Sequence, residues 1–399
     1  MSKKALIILA TLFSFQDIFC QNEQHNRESY LRAEAHSFMK RHKIPGLALI
    51  LFIDGESYLL QFGYADKKQK KFVTQETLFE LGSVSKIFTC ILLCNEIIQQ
   101  NMALHDSINL HIPELQACRR LKQITFAKLC THTSSLPFNA PDQVRSDRDL
   151  IRYIASWRPP RKGFTWQYSN HGIELIRIAL EEKTKNNYNE LLINTILSPL
   201  HMAPIGVMVP ENLTGLYATC YDKLGEETCH WDHPFLIGSA ALKASSTDML
   251  NFLKAMVGVT DMPDSLRQAI KMTQLPYVSL DSFRHGLGWQ ISMLGTGDLS
   301  EKPFEIIQAQ EIAQNDLSQD ARILFEKTGT THGFHAYIGV MPGKKSGIVV
   351  LFNRRLHNGW SVSKRFGRKL LKQAMQIPAV LYSPLKLDSS NQVSLTFDF

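Results

Sequence analysis

The sequence predicts an α+β fold: an antiparallel sheet built from both chain ends and flanked by helices, with an all-helical lobe inserted between. Three observations predict it. Strand-forming runs cluster between residues 46 and 65 and again after residue 284. The stretch from about 100 to 215 carries helical periodicity and polar loops instead. Between these textures Ile87-Phe88-Thr89-Cys90-Ile91-Leu92-Leu93-Cys94 is apolar nearly all round, the mark of a helix in the middle of a protein. The expected organisation is a leader (1–20), an α/β lobe from 21–100 and 241–385, a helical lobe from 101–240, and a tail, 386–399. A cleft is expected between the lobes.

Taken in order, the chain begins with Lys3 and Lys4, then an apolar run from Ala5 to Phe13 and a polar stretch from Gln21. That is the form of a secretory signal peptide, too short for a stable span. Cys20 is its expected last residue; lipidation there is disfavoured by the large Phe19. No later segment is apolar enough to span, so a secreted, periplasmic protein without a membrane anchor is expected. A short helix near Tyr30–Arg41 precedes the strand run Gly46 to Ile53. Asp54-Gly55 is a hairpin signal, and Ser57 to Ala65 returns antiparallel. Ile124 to Cys130, Leu150 to Trp157, Asn170 to Glu182 and Tyr188 to Leu197 read as helices, the second stopping at Pro159-Pro160. Strands follow: one opening at Arg284–Gln290, then Arg322–Lys327, Phe334–Val340 and Ser346–Phe352, the last two joined at Pro342-Gly343. A helix from about Ser361 to Ala374 closes the fold.

Composition excludes several classes. With 399 residues, 44% hydrophobic and 20% charged, the chain is ordinary globular material. A formal net charge of +7 suits anionic small molecules or an anionic envelope. Basic tracts are confined to short pieces such as Lys67-Lys68-Gln69-Lys70-Lys71, which reads as a charged turn and does not call for nucleic acid. A monomer acting on a small molecule is expected. Of seven cysteines, Cys90 and Cys94 lie in the apolar helix as buried thiols. Cys220 and Cys229 flank a tight turn, where they form a bridge or remain two thiols. His332 and His335 have no carboxylate near them in sequence. With no C-x-x-C, H-x-H-x-D or H-E-x-x-H spacing, no metal and no cofactor are expected.

Candidate chemistry centres on Phe79-Glu80-Leu81-Gly82-Ser83-Val84-Ser85-Lys86. A helix opening at Ser83 puts Lys86 one turn on, on the same face. A serine hydroxyl needs a partner to take its proton, and a buried, partly neutral lysine supplies one. Tyr168-Ser169-Asn170 falls at a loop-to-helix junction. Lys327-Thr328-Gly329 ends a strand, with Thr330 next. Each of these alone is weak; their order is not.

Together these residues resemble the serine β-lactamase and penicillin-binding superfamily, and the class C enzymes most. The serine stretch matches the class C signature throughout. Tyr168-Ser169-Asn170 matches the class C Y-x-N, where class A carries S-D-N. Gly286-Leu287-Gly288-Trp289 and the segment from Lys327 to Phe334 also match, and the likeness spans most of residues 30 to 375. The resemblance implies that Ser83 forms an acyl-enzyme, with Lys86 and Tyr168 sharing proton transfer beside the charge of Lys327. It implies an oxyanion hole from the N–H groups of Ser83 and Thr330, close ligand approach at Gly329, and carboxylate binding by Lys327 and Thr328. Asn170 would orient Lys86 and the substrate amide, and Asn353 would serve as the carboxylate-side asparagine. Asn139 stands where class C enzymes usually carry glutamine. Ile237 to Lys243 lacks the family's usual tyrosine, which leaves substrate range open. Glu190 resembles the class A deacylating glutamate, but a surface helix explains it better. The implied function is β-lactam hydrolysis; the alternatives are a D-alanyl-D-alanine peptidase or esterase, and a receptor that stays acylated.

Overall fold

A computed structural model of the chain describes residues 26–158, 163–231, 236–295 and 305–376. The leader, Cys20, Pro159-Pro160 and the tail lie outside these residues. No helix among them is long and apolar enough to cross a membrane.

The sheet is antiparallel. In chain order its strands are β1 (Gly46–Ile53), β2 (Glu56–Asp66), β3 (Lys71–Phe72), β4 (Val278–Ser279), β5 (Arg284–His285), β6 (Gln290–Met293), β7 (Gln310–Glu311), β8 (Ile323–Thr330), β9 (His335–Met341) and β10 (Ser346–Phe352). Their spatial order is β7-β4-β5-β6-β8-β9-β10-β1-β2-β3. The first strands of the chain therefore pair with the last, as the textures at both ends predict. β1 meets β10 from Leu47↔Phe352 to Phe52↔Gly347. The β1–β2 hairpin closes at Ile53↔Glu56. Asp54 and Gly55 take φ of +54° and +84°, the primed turn their sequence calls for.

Strand alternation sorts side chains between two cores. Ala48, Ile50 and Phe52 join one cluster, and Leu47, Leu49, Leu51 and Ile53 join the other. The second cluster is covered by the helix over residues 26–42 (α1) and by α10 (Gly359–Gln376), whose Phe366, Leu370, Leu371 and Ala374 pack on it. The first contains α2 (Ser85–Ile98), buried from Ser85 to Asn95 as the all-apolar stretch predicts. Around α2 lie α3 (Phe126–Cys130), α4 (Asp147–Ser156), α5 (Asn170–Thr184), α6 (Tyr188–Leu192), α7 (Ile237–Ala240), α8 (Ser246–Met256) and α9 (Asp264–Thr273).

Three expectations need correction. After residue 215 the chain does not return directly to the large sheet: a short hairpin and α7, α8 and α9 precede β4, and α8 opens on a capping box of Ser245 and Asp248. Arg284–Gln290 is not one strand. Gly286 N–H donates to the Trp289 carbonyl at 2.9 Å, and Gly288 has φ +81°, so a turn separates β5 from β6. The helix does not open at Ser83: Gly82–Val84 form one 3₁₀ turn, and α2 starts at Ser85. The hairpin at Cys220–Tyr221 and Glu227–Thr228 exists, but Cys220 faces Thr228; both Cys220 and Cys229 are thiols.

Candidate active site

The 3₁₀ turn at Gly82–Val84 lies against the edge of β8. β6 pairs with β8 only as far as Gln290↔Glu326, so Lys327–Thr330 extend beyond it. Two glycines allow the backbones to meet there. A Cβ on Gly329 would sit 1.9 Å from the Leu81 carbonyl oxygen, and one on Gly82, itself at φ +51°, 2.6 Å from Thr330 N. Any larger residue at either place would push the strand off the turn. The result sets the Ser83 and Thr330 amides beside one another.

Lys86 is fully buried, one helical turn below Ser83. Its Nζ lies 3.0 Å from Ser83 Oγ, 2.8 Å from Asn170 Oδ1 and 2.8 Å from the Ser239 carbonyl. The amide and backbone carbonyls can only accept, so they fix two N–H bonds of the amine. The third direction faces Ser83. Burial lowers the affinity of Lys86 for its proton; Tyr168 opposes that effect and the Lys327 charge adds to it.

The Ser239 carbonyl is itself held in place. Thr89 Oγ donates to the Gly238 carbonyl at 2.6 Å, and Leu242 N–H donates to Ser85 Oγ at 3.1 Å. The fully buried Glu174 of α5 accepts from Gly238 N–H at 3.0 Å and pairs with Arg177 at 2.5 Å. Arg177 also pairs with Asp147 and Glu181. The helices that surround Lys86 are thus tied together by polar contacts.

Tyr168 precedes α5, whose N-cap Ser169 accepts from Gly172 N–H. Its hydroxyl hydrogen-bonds Lys86. The Lys86 and Lys327 nitrogens lie 5.1 and 4.6 Å from its ring centroid. His132, fully buried, packs 4.2 Å from the same ring and accepts the Ser169 N–H through Nδ1. Burial first, then the charges of His285, Lys327 and Lys86, hold His132 well below the usual histidine range.

Ser83, Tyr168, Asn170, Asn139, Thr328 and Thr330 line a cleft of about 1170 Å³, with Lys86 and Lys327 beneath them. Asn139 accepts from the Asn170 side-chain amide at 2.9 Å. Nine of the ten residues singled out from the sequence thus belong to one place: Ser83, Lys86, Asn139, Tyr168, Asn170, Lys327, Thr328, Gly329 and Thr330.

Asn353 does not. It is fully buried: Oδ1 accepts from Gly46 N–H at 2.8 Å, and Nδ2 reaches the carbonyls of Tyr64, Ala65 and Thr219 at 3.1–3.2 Å. Its amide is consumed in joining β10 to β1 and β2. Arg355 and Asn358 reach the cleft instead. His171, His332 and His335 also line it and were not singled out for chemistry. His171 accepts from Ala140 N–H at 3.0 Å, which anchors the loop that carries Asn139. His335 lies 2.9 Å from the Thr330 hydroxyl.

Known proteins resemble this chain in sequence and in fold. A sequence model described as Beta-lactamase matches residues 31–369. A "Beta-lactamase" of Escherichia coli (strain K12) is 30% identical over 338 residues, covering 80% of this chain and 87% of that protein. One from Psychrobacter immobilis is 29% identical over 367 residues, covering 88% and 90%. Among solved structures, a class C beta lactamase from Rhodobacter sphaeroides superposes with TM-score 0.79 at 26% identity, covering 86% of this chain and 99% of its own. A protein titled beta-lactamase/D-alanine carboxypeptidase from Pseudomonas syringae superposes at 0.80 and 26%, covering 88% and 99%.

Proposed function

Since the chain belongs to the beta-lactamase family, we propose that it is a secreted serine β-lactamase of class C type. The observation that carries the reading is the Lys86 amine 3.0 Å from Ser83 Oγ, with two carbonyl oxygens, of Asn170 and Ser239, accepting from it at 2.8 Å. In this reading the Ser83 proton passes to Lys86 as Oγ attacks the lactam carbonyl. The N–H groups of Ser83 and Thr330 hold the oxyanion. The C–N bond then breaks, and the ring nitrogen takes a proton from the Tyr168–Lys86 pair, which leaves an acyl ester on Ser83. Tyr168 next accepts a proton from water, the resulting hydroxide attacks the ester, and Ser83 regains its proton as the acid departs. The Lys327 charge and Thr328 hydroxyl receive the substrate carboxylate.

A chromogenic cephalosporin tests this. The purified protein turns it over many times per active site, EDTA leaves the rate unchanged, and Ser83→Ala abolishes turnover without lowering the melting temperature. A single stoichiometric burst would sink the hydrolase reading in favour of an acylated receptor. The name of the Pseudomonas syringae relative makes a D-alanyl-D-alanine peptide the competing substrate. Faster turnover of that peptide than of any β-lactam would favour the peptidase. Secretion predicts that cell fractionation finds a shortened chain in the periplasm, starting near Gln21.

A further inference from the structure

One cluster near the cleft joins three metal-ligating side chains that the hydrolytic steps do not use. Glu80 stands three residues before Ser83, on the short strand Phe79–Glu80. Cys220 lies on the hairpin strand Cys220–Tyr221, and His230 follows the second strand of that hairpin. Their ligand atoms all lie within 4.8 Å of one another. Glu80 is 1% exposed and Cys220 fully buried. Glu80 Oε1 is used: it accepts the Tyr217 hydroxyl at 2.6 Å and the Trp231 N–H at 2.8 Å. Glu80 Oε2 is also buried and has no hydrogen-bond partner. A carboxylate oxygen left so in a protein interior demands an explanation. His230 Nε2 lies 3.0 Å from the Ala218 carbonyl. That contact puts the ring proton on Nε2 and keeps a lone pair on Nδ1 for a cation.

We propose that Glu80, Cys220 and His230 form a site for a zinc-class divalent cation. A thiolate, a carboxylate and a neutral imidazole carry two negative charges between them, which one divalent cation cancels. Soft sulfur with nitrogen selects zinc over magnesium or calcium. Three protein ligands leave one tetrahedral position for water. The cation binds as a clamp. It ties the strand leading to Ser83 to the segment carrying His230 and Trp231, both of which line the cleft. A Cβ on Gly333 would meet the Cys220 Cα at 2.8 Å, so the turn that follows β8 rests on the same hairpin. Short-spaced zinc motifs hold their ligands close in sequence; this set is assembled by the fold from residues as far apart as 80 and 230. The proposal does not depend on the hydrolase reading.

The test uses the full mature chain, stripped with chelator and titrated separately with Zn²⁺ and Co²⁺. One equivalent binds, and Co²⁺ produces the near-ultraviolet thiolate-to-metal absorption of a sulfur ligand. Excess Zn²⁺ raises the melting temperature by a few degrees, and binding weakens as pH falls because the thiol must lose its proton. Cys220→Ser removes the Co²⁺ band, and His230→Asn weakens Zn²⁺ binding by at least about 100-fold. Glu80→Gln threatens the fold through Tyr217 and Trp231, so the two other variants carry the test, each checked by its metal-free melting curve. Absence of the band, its survival in Cys220→Ser, or Zn²⁺ binding unchanged in His230→Asn would overturn the proposal.

Discussion

Two neighbouring residues of β8, Glu326 and Lys327, point to opposite faces of the sheet and enter two very different polar clusters. On the α10 face Glu326 is 1% exposed. It accepts from Ser292 at 2.8 Å and from Tyr337 at 3.0 Å. Lys364 approaches it at 3.3 Å and Arg368 at 3.5 Å. There the buried cations are tied to a carboxylate. On the α2 face Lys327 and Lys86 converge on the Tyr168 ring, and Lys86 donates to amide, carbonyl and hydroxyl oxygens. Glu174 acts on Lys86 only after burial, Tyr168 and Lys327, and is itself engaged by Arg177. The first cluster spends its charge on holding the sheet to α10. In the proposed reaction, the second keeps positive charge in reserve for an anionic substrate and a developing oxyanion.

The largest test separates the two clusters. Lys86→Met lowers kcat by about 10³–10⁴-fold, the upper range for losing a proton-transfer group. The folded state loses less than in Glu326→Gln, because removing Lys86 leaves two carbonyl acceptors short of a donor but no buried charge without its counter-charge. Glu326→Gln does the reverse. It costs about 3–5 kcal/mol, since two cations lose their buried counter-charge, while kcat/KM per folded molecule stays within a few-fold. Denaturant melts beside active-site-normalised rates measure both. Equal destabilisation by the two substitutions would break the comparison.

This division was only half legible in the sequence. Glu326 and Lys327 were readable as the end of a strand, and alternation alone sends them to opposite faces. The strand runs at 46–53 and 346–352 were legible because both faces of a central sheet are buried. α8 escaped notice although Ser245-Ser246-Thr247-Asp248 carries a capping signal and Met249, Leu250, Phe252, Leu253 and Met256 keep helical spacing. The cleft constellation was legible because its members sit in short, specific runs. Asn353 was misplaced because counting along a strand does not reveal where the chain bends. It follows the last residue of β10 and is buried against β1 and β2, and Asn358, at φ +50°, is the residue that turns back to the cleft. His132, His171 and the Ser239 carbonyl left no local signal; each acts through a partner distant in sequence.

Those histidines sharpen the comparison under acid. Burial, then the Lys86 charge, lowers His171 to about 4, and burial with Arg355 lowers His335 to about 3. His132 too is held well below the usual histidine range, by burial first and then by its charged neighbours. In each case the folded value lies below the unfolded one, about 6.5. The stability they contribute is therefore complete above about pH 6.5 and is lost as pH falls toward 4 and below. Each adds a slope of up to about 1.4 kcal/mol per pH unit in that window. His171→Asn retains an acceptor for Ala140 N–H and removes one such slope. Urea melts between pH 7 and 4 read it directly; an unchanged slope in the variant would mean that His171 titrates normally.

The smallest effect concerns the coupling of the two lysines. Lys327 adds to the burial that lowers the proton affinity of Lys86. Removing that charge allows Lys86 to hold its proton at higher pH, so less neutral amine faces Ser83 at a given pH. In Lys327→Gln the acid limb of kcat/KM, followed with a substrate of saturable acylation, therefore moves toward higher pH. Weaker carboxylate binding would lower kcat/KM at every pH and leave the limb where it was. A pH profile of Lys327→Gln thus distinguishes a lysine that only holds substrate from one that also tunes its buried neighbour. Lys364→Gln serves as the control: Lys364 lies on the other face of the sheet, bound to Glu326 and Gln290, and its loss leaves the acid limb in place.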